Sequence, residues 1–203
     1  MRSTIIAAAA FAVGALATPT YPVIQKRDCN DTCMTYEQAQ VVANNFKSLI
    51  ATYSDDLANQ VLTVDFQDYS DSVTELINSG CTGPVALGSV TFDGRAAFES
   101  GQSSQPAIPF EILNLWYACE GPVVIRWRSA QTPEIITGNI VMETTRGTNS
   151  SEPWLISTVY SEFNSGAWLV NLGVFTPNCS ADGNGTAVGK RSPGSSVNLF
   201  NRK

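Results

Sequence analysis

Histidine is absent from all 203 residues, and basic residues are scarce between positions 28 and 189. Without histidine, the chain lacks the general base of Ser-His and Cys-His nucleophile systems. In that interval five lysines and arginines stand against eighteen aspartates and glutamates, a net charge of −13. Nucleic acids and anionic membrane surfaces are bound through clustered lysine and arginine. We therefore expect neither nucleic acid nor a membrane among the partners.

Phosphate-binding glycine loops, CxxC pairs and metal-ligand spacings are missing as well. These are the sequence signals of nucleotide cofactors and of zinc sites. We therefore expect no cofactor and no metal. After residue 17, no segment approaches the roughly 20 apolar residues that a membrane-spanning helix needs.

The N-terminal residues have the pattern of a secretory signal peptide. Arg2 precedes an apolar stretch that ends at Ala15-Leu16-Ala17, with the small residues that favour cleavage. The dibasic pairs Lys26-Arg27 and Lys190-Arg191 resemble sites for a processing protease of the fungal secretory pathway. The sequence predicts a signal peptide at 1–17, a propeptide at 18–27, a domain at 28–180 and a tail at 181–203. The protein is then secreted and extracellular.

Cysteines and glycosylation sequons fit that compartment. Cysteines occur at positions 29, 33, 81, 119 and 179, and in a secreted chain they favour disulfides over catalytic thiols. Their odd number leaves one thiol free or paired with another molecule, and Cys33–Cys119 is the bridge we prefer. The predicted glycosylation sites are Asn30, Asn149 and Asn184.

Apolar spacing predicts helices first and strands afterwards. A capping box of Thr35 and Gln38 begins the first helix, a second follows at 55–62, and Ser72 with Glu75 begins a third at 73–79. Strands are predicted at 85–92, 110–119, 123–129, 134–145 and 154–163, with short helices at 95–102 and 165–172. This order predicts an α+β fold with an antiparallel run of strands.

Three carboxylates, Asp65, Asp68 and Asp71, recur at three-residue intervals beside aromatic side chains. On a helical or tight-turn backbone, residues three apart lie on one side. The sequence therefore predicts a shared acidic face, which either braces the start of a helix or lines a pocket.

Five segments together resemble the secreted fungal NTF2-like, or SnoaL-like, domain proteins. They are DFQDYSDS at 65–72, VTFDGRAAF at 90–98, QPAIPFE at 105–111, IRWRS at 125–129 and YSEFNSGAWLVNLG at 160–173. The resemblance covers about 33–173. It implies an NTF2-like cone, with N-terminal helices packed on a curved antiparallel sheet and a cavity at its open end. It implies no activity by itself.

Enzymes that resemble this fold, such as ketosteroid isomerases and polyketide cyclases, use a carboxylate to move a proton next to a carbonyl. The resemblance implies that Asp65 or Asp68 takes that role, with Tyr69 donating a hydrogen bond to the oxyanion. In the alternative, which we favour, Asp71 or Ser72 caps the third helix and the other two aspartates contact water or arginine.

Two further groups are candidates for ligand binding. Glu162 and Asn164 end the last long strand and could orient a ligand in the cavity. In the favoured alternative, Glu162 pairs with Arg126 or Arg128 on a neighbouring strand. Strand alternation sends both arginines to one side, where they could bind a carboxylate ligand, and Trp127 to the other.

From the sequence we favour a non-catalytic protein that binds a small apolar molecule or a partner surface. The alternative is a cofactor-free isomerase, cyclase or dehydratase that uses an aspartate with Tyr69. Secretion also permits a host-directed effector. Negative charge and glycans favour a monomer or a weak homodimer.

Overall fold

The computed structural model describes residues 33–148 and 152–177. These residues form five helices and six strands. In chain order they are α1 (Tyr36–Ala51), α2 (Asp55–Val61), β1 (Leu62–Tyr69), α3 (Asp71–Ile77), β2 (Phe92–Asp93), α4 (Arg95–Gln102), β3 (Glu111–Tyr117), β4 (Val123–Ser129), β5 (Ile136–Arg146), β6 (Trp154–Phe163) and α5 (Ser165–Asn171).

The six strands form one sheet in the order β2-β1-β6-β5-β4-β3. All neighbours pair antiparallel except β1 and β6, which run parallel. Register shifts interrupt the β1/β6, β3/β4 and β5/β6 pairs, and such irregularities bend and twist a sheet. The predicted α+β class, with helices packed on a curved sheet, is confirmed.

Helix α1 packs its apolar face against this sheet. Thr35 and Gln38 form the predicted capping box. The buried side chains recur at helical spacing and are Ala39, Val42, Ala43, Phe46 and Leu49. A disulfide joins Cys33 to Cys119, the preferred pairing, and the Met34 amide donates to the Cys119 carbonyl at 2.6 Å. The start of α1 is thereby fastened to the turn between β3 and β4.

Besides β1, which stands where a helical or tight-turn backbone was expected, two predicted elements differ in the structure. The strand expected at 85–92 shrinks to β2, and the loop before it is held by the Asn78 side chain, which bonds both the amide and the carbonyl of Val85. Helix α3 is capped by Ser70, whose hydroxyl accepts from the Val73 amide at 3.0 Å. The proposed caps Asp71 and Ser72 are wrong, because the chain is already helical at both positions.

No helix within residues 33–148 and 152–177 is long and apolar enough to cross a membrane. The Cys33–Cys119 disulfide is compatible with an extracellular protein. The predicted signal peptide, propeptide and tail lie outside the described residues, as do Asn30, Asn149 and Asn184.

Candidate functional site

Strand β1 separates the residues that the sequence analysis had grouped. Phe66 and Asp68 point into the protein, with 0% and 4% of their surface exposed. Asp65 is exposed on β1. Tyr69 stacks on Tyr160 with ring centroids 5.4 Å apart, away from Asp68. The predicted shared face is wrong, because side chains alternate with a period of two along a strand and residues three apart point to opposite sides.

Asp68 opens onto a cavity of about 550 Å³ between the sheet and the helices. Helices α1, α3, α4 and α5 supply one part of its wall, and strands β1, β2, β4, β5 and β6 supply another. Among the described residues that line it, Asp68 is the only one with an ionisable side chain. The polar lining is completed by Gln102, Gln105, Gln131 and Ser161.

Aromatic side chains form much of the cavity wall. Phe46 of α1, Phe92 of β2 and Phe98 of α4 form one cluster, in which the Phe92 and Phe98 rings meet edge to face at 5.8 Å. A second cluster in the lining comprises Phe110, Trp127 of β4, Phe163 of β6 and Trp168 of α5. There Phe110 stacks on Trp127 at 4.6 Å, and Phe163 meets both Trp127 and Trp168. These ring–ring contacts hold the aromatic side chains in place around the cavity.

The Asp68 carboxyl group has an unusual environment. Its Oδ1 atom is buried and has no hydrogen-bond partner among the described residues. Burial, and secondarily the negative charge of Glu162, raise the pKa of Asp68 to about 7. A carboxyl group of this kind exchanges a proton near neutral pH, and an unpartnered oxygen is available to a ligand.

Glu162 does not line this cavity. Its carboxylate accepts hydrogen bonds from the amides of Asp71 and Ser72, each at 3.0 Å, and from the Ser72 hydroxyl. The expected pairing with an arginine is wrong, because Arg128 pairs with Glu111 and Arg126 makes no ion pair with Glu162. The helix amides satisfy the carboxylate instead.

The other predicted ligand residues are divided between the two faces of the sheet. Trp127 is buried at the cavity, and its Nε1 atom has no hydrogen-bond partner within the described chain. Arg126 and Glu162 line a shallow depression outside the cavity, with Asn139 between them in register. The Asn164 side chain accepts from the Thr137 amide at 2.6 Å and fastens the end of β6 to β5.

Sequence reasoning missed the helical half of the cavity wall. Phe46 has the spacing of an ordinary core residue on α1, and Phe98 lies in one of the segments that carried the family resemblance. Neither position carries a sequence signal that distinguishes a residue beside a cavity from one in solid core.

The profile of one protein family, described as NTF2-like domain, matches residues 32–175. No curated protein matches the sequence. Similar solved structures include a proposed ketosteroid isomerase from Kribbella flavida, 14% identical over 63% of this chain and 78% of that chain, with a TM-score of 0.46. IdmH, a proposed polyketide cyclase from Streptomyces antibioticus, is 11% identical over 67% and 99%, with a TM-score of 0.47. An NTF-2 like protein of unknown function from Burkholderia xenovorans is 14% identical over 63% and 84%, with a TM-score of 0.44.

Proposed function

This chain belongs to the NTF2-like domain family, and we propose that it binds a small, mainly apolar molecule in the cavity beside Asp68. The observation that carries the proposal is the cavity itself, about 550 Å³ in volume, on whose wall the described residues place a single buried carboxyl group without a hydrogen-bond partner among them. Ligand sites are typically apolar cavities of roughly 300–1,000 Å³ with a few polar groups that orient the ligand. Protein cores are otherwise close-packed, so a void of this size is unusual as mere packing.

Extracellular action is part of the same proposal. The N-terminal apolar stretch, the dibasic pairs and the sequons support a secreted, glycosylated protein of fungal type. The Cys33–Cys119 disulfide is consistent with it. We propose a monomer or a weak homodimer as the working form.

Mass spectrometry of the protein purified from its own culture medium tests retention of a ligand. The native mass should exceed the denatured mass of the same deglycosylated sample by the mass of one small molecule. Equal masses, together with no binding of a neutral apolar dye such as Nile red, would overturn the proposal.

A variant at the cavity mouth locates the binding. Ile77 lines the cavity, is 44% exposed and therefore tolerates enlargement. Ile77→Trp should weaken Nile red binding about tenfold by narrowing the entrance, since overpacking in a closed space costs roughly 1–3 kcal/mol. Leu87→Trp is the control, because Leu87 is 57% exposed and lies away from the cavity. If the two variants bind Nile red with equal affinity, the dye binds outside the cavity.

Acid–base catalysis by Asp68 is a second candidate, favoured by its pKa of about 7. A carboxylate near that pKa can remove a proton next to a carbonyl group. Tyr69 points away from the cavity, so the hydrogen-bond donors available to the oxyanion are cavity residues such as Trp127.

Deuterium exchange of a simple ketone tests this activity. With 4-phenylbutan-2-one in D₂O, the protein should accelerate deuterium incorporation next to the carbonyl. Asp68→Asn should abolish the acceleration and Asp65→Asn should retain it. Equal rates with and without protein would exclude this activity for simple ketones.

A further inference from the structure

We infer that the ligand of this cavity is an apolar organic cation, a protonated amine whose ammonium group pairs with Asp68 while its apolar body contacts the aromatic wall. The inference rests on the proposed function, since it names the chemical class of the molecule that the cavity binds.

The first argument is the sign of the charge around the cavity. Among the described residues that line the cavity Asp68 is the only ionisable one, and the charge that acts on it is a second negative one, that of Glu162. No lysine or arginine of the described chain lines the space. A ligand carboxylate or phosphate would therefore enter a site with like charge and no countercharge, whereas an ammonium group would be attracted.

Two arginines of the described chain are engaged in ion pairs with other carboxylates. Arg95 pairs with Glu99 at 3.5 Å and donates to the Leu62 carbonyl at 3.2 Å. Arg128 pairs with Glu111. Within residues 33–148 and 152–177 the Asp68 carboxylate therefore has no cationic partner, although buried carboxylates are mostly found paired. An ammonium ligand would supply that partner.

The second argument is the aromatic wall. Asp68 is paired in register with Phe92 on the neighbouring strand, and the Phe92 and Phe98 rings both line the cavity. The face of an aromatic ring attracts a cation electrostatically, and it also buries the apolar carbons next to an ammonium group. One carboxylate surrounded by aromatic rings is therefore better suited to an amine than to a neutral apolar molecule.

Amine binding should be coupled to the ionisation of Asp68. The titratable and charged groups on β1 and on the elements packed against it are Asp65, Tyr69, Tyr160, Glu162, Asp93, Arg95, Glu99, Asp55, Asp56, Asp71 and Glu75. Of these, only Glu162 contributes to the raised pKa of Asp68, and burial is the larger cause. An ammonium ligand stabilises the ionised carboxylate, so amine affinity should rise as the pH rises through about 7.

Three matched probes test the inference: 4-phenylbutylamine, 4-phenylbutan-1-ol and 4-phenylbutanoic acid. Their dissociation constants are measured at pH 8.5 by calorimetry, with Trp127 and Trp168 fluorescence as a second readout because both indoles line the cavity. The amine, like a lysine side chain, remains mostly protonated at this pH. It should bind at least about tenfold more tightly than the alcohol, because charge-assisted hydrogen bonds are about twice as strong as neutral ones. The acid should bind most weakly.

The variants Asp68→Asn and Asp65→Asn remove the same charge from the same strand, one inside the cavity and one on the exposed side. Asp68→Asn should abolish the preference for the amine over the alcohol, and Asp65→Asn should retain it. Lowering the pH from 8.5 to 5.5 should weaken amine binding about tenfold or more in the wild type but leave alcohol binding nearly unchanged.

The outcomes separate this inference from the proposed function. If the alcohol binds as tightly as the amine, or if Asp68→Asn keeps the amine preference, the inference is overturned while the apolar binding site stands. If none of the three probes binds and no retained ligand is found by mass spectrometry, the proposed function fails, and the inference fails with it.

Discussion

Glu162 on β6 accepts hydrogen bonds from both the backbone amide and the hydroxyl group of Ser72 on α3, 90 residues earlier in the chain. The Ser72 hydroxyl also approaches the backbone of Phe163, accepting from its amide at 3.0 Å. Helix α3 contributes Val73, Leu76 and Ile77 to the cavity wall. This contact therefore fixes the position of one wall of the binding site relative to the sheet.

Replacement of Glu162 by alanine should lower the free energy of unfolding by about 1–2 kcal/mol, because three hydrogen bonds to α3 are lost at a partly solvated position. Urea denaturation measures the change. Glu143→Ala is the matched control, since Glu143 is an exposed acid on the neighbouring strand β5. Equal stability of the two variants would show that the contact is energetically neutral.

The stability contribution of Asp68 should depend on pH in the opposite sense to that of an ordinary surface aspartate. Its pKa rises from 3.8 in the unfolded chain to about 7 in the folded protein, so the folded state binds the proton more tightly. The stabilisation is complete below about pH 4 and is lost as the pH rises through about 7, a change on the order of 4 kcal/mol. Above pH 7 the buried charge is a constant penalty.

This effect must be measured as a difference in the free energy of unfolding between the wild type and a variant, because other carboxylates titrate in the same pH range. The free energy of unfolding of the wild type minus that of Asp68→Asn should fall between pH 4 and pH 7.5. The exposed Asp65→Asn variant, which removes one carboxylate from the same strand, is measured in parallel as the control. A flat difference for Asp68→Asn would mean that water or a rearrangement solvates the carboxylate in solution.

Gly138 and Gly166 should respond oppositely to alanine. A Cβ atom at Gly138 would lie 2.6 Å from the Glu162 carbonyl oxygen and 2.8 Å from Nε1 of Trp127. The backbone at Glu162 cannot easily move away from the added Cβ atom. Gly138→Ala should therefore lower the free energy of unfolding by about 2–3 kcal/mol and displace the Trp127 ring. Gly166 has open space and lies in α5, so Gly166→Ala should stabilise by about 0.5–1 kcal/mol. Thermal unfolding followed by tryptophan fluorescence checks both, and a tolerated Gly138→Ala would contradict the geometry.

The disulfide should contribute more to stability than any other single covalent feature of the described chain. Cys33 and Cys119 are separated by 86 residues, and the link restricts a long loop of the unfolded chain. Cys33→Ser should therefore lower the free energy of unfolding by about 2–4 kcal/mol. Cys81→Ser should change it little, because Cys81 is an exposed free thiol. Denaturation in guanidinium compares the two, and equal midpoints would show that the bridge is dispensable.

Prediction from the sequence succeeded where the local pattern was strong. Strands β4 and β6 and helix α4 have the predicted bounds; the two strands are rich in β-branched and aromatic residues, and turn residues separate them from their neighbours. It failed at β1, where Asp65 and Asp68, two of the three regularly spaced aspartates, obscured a strand. Polar residues at alternate positions of β1 lower its apparent β-propensity. In the folded protein, the pairing of β1 with β6 and β2 outweighs this low propensity.

By itself, the sequence determined the general class of the protein: an acidic, histidine-free α+β domain with an aspartate cluster beside aromatic residues. Only the tertiary structure decided which aspartate matters. Asp65, Asp68 and Asp71 are chemically identical, and nothing in their neighbours along the chain separates them. Asp68 alone becomes buried beside the cavity, because the pairing of β1 with distant strands turns it inward and leaves Asp65 outside. Burial acts on the pKa through desolvation, and desolvation is a property of the folded surroundings.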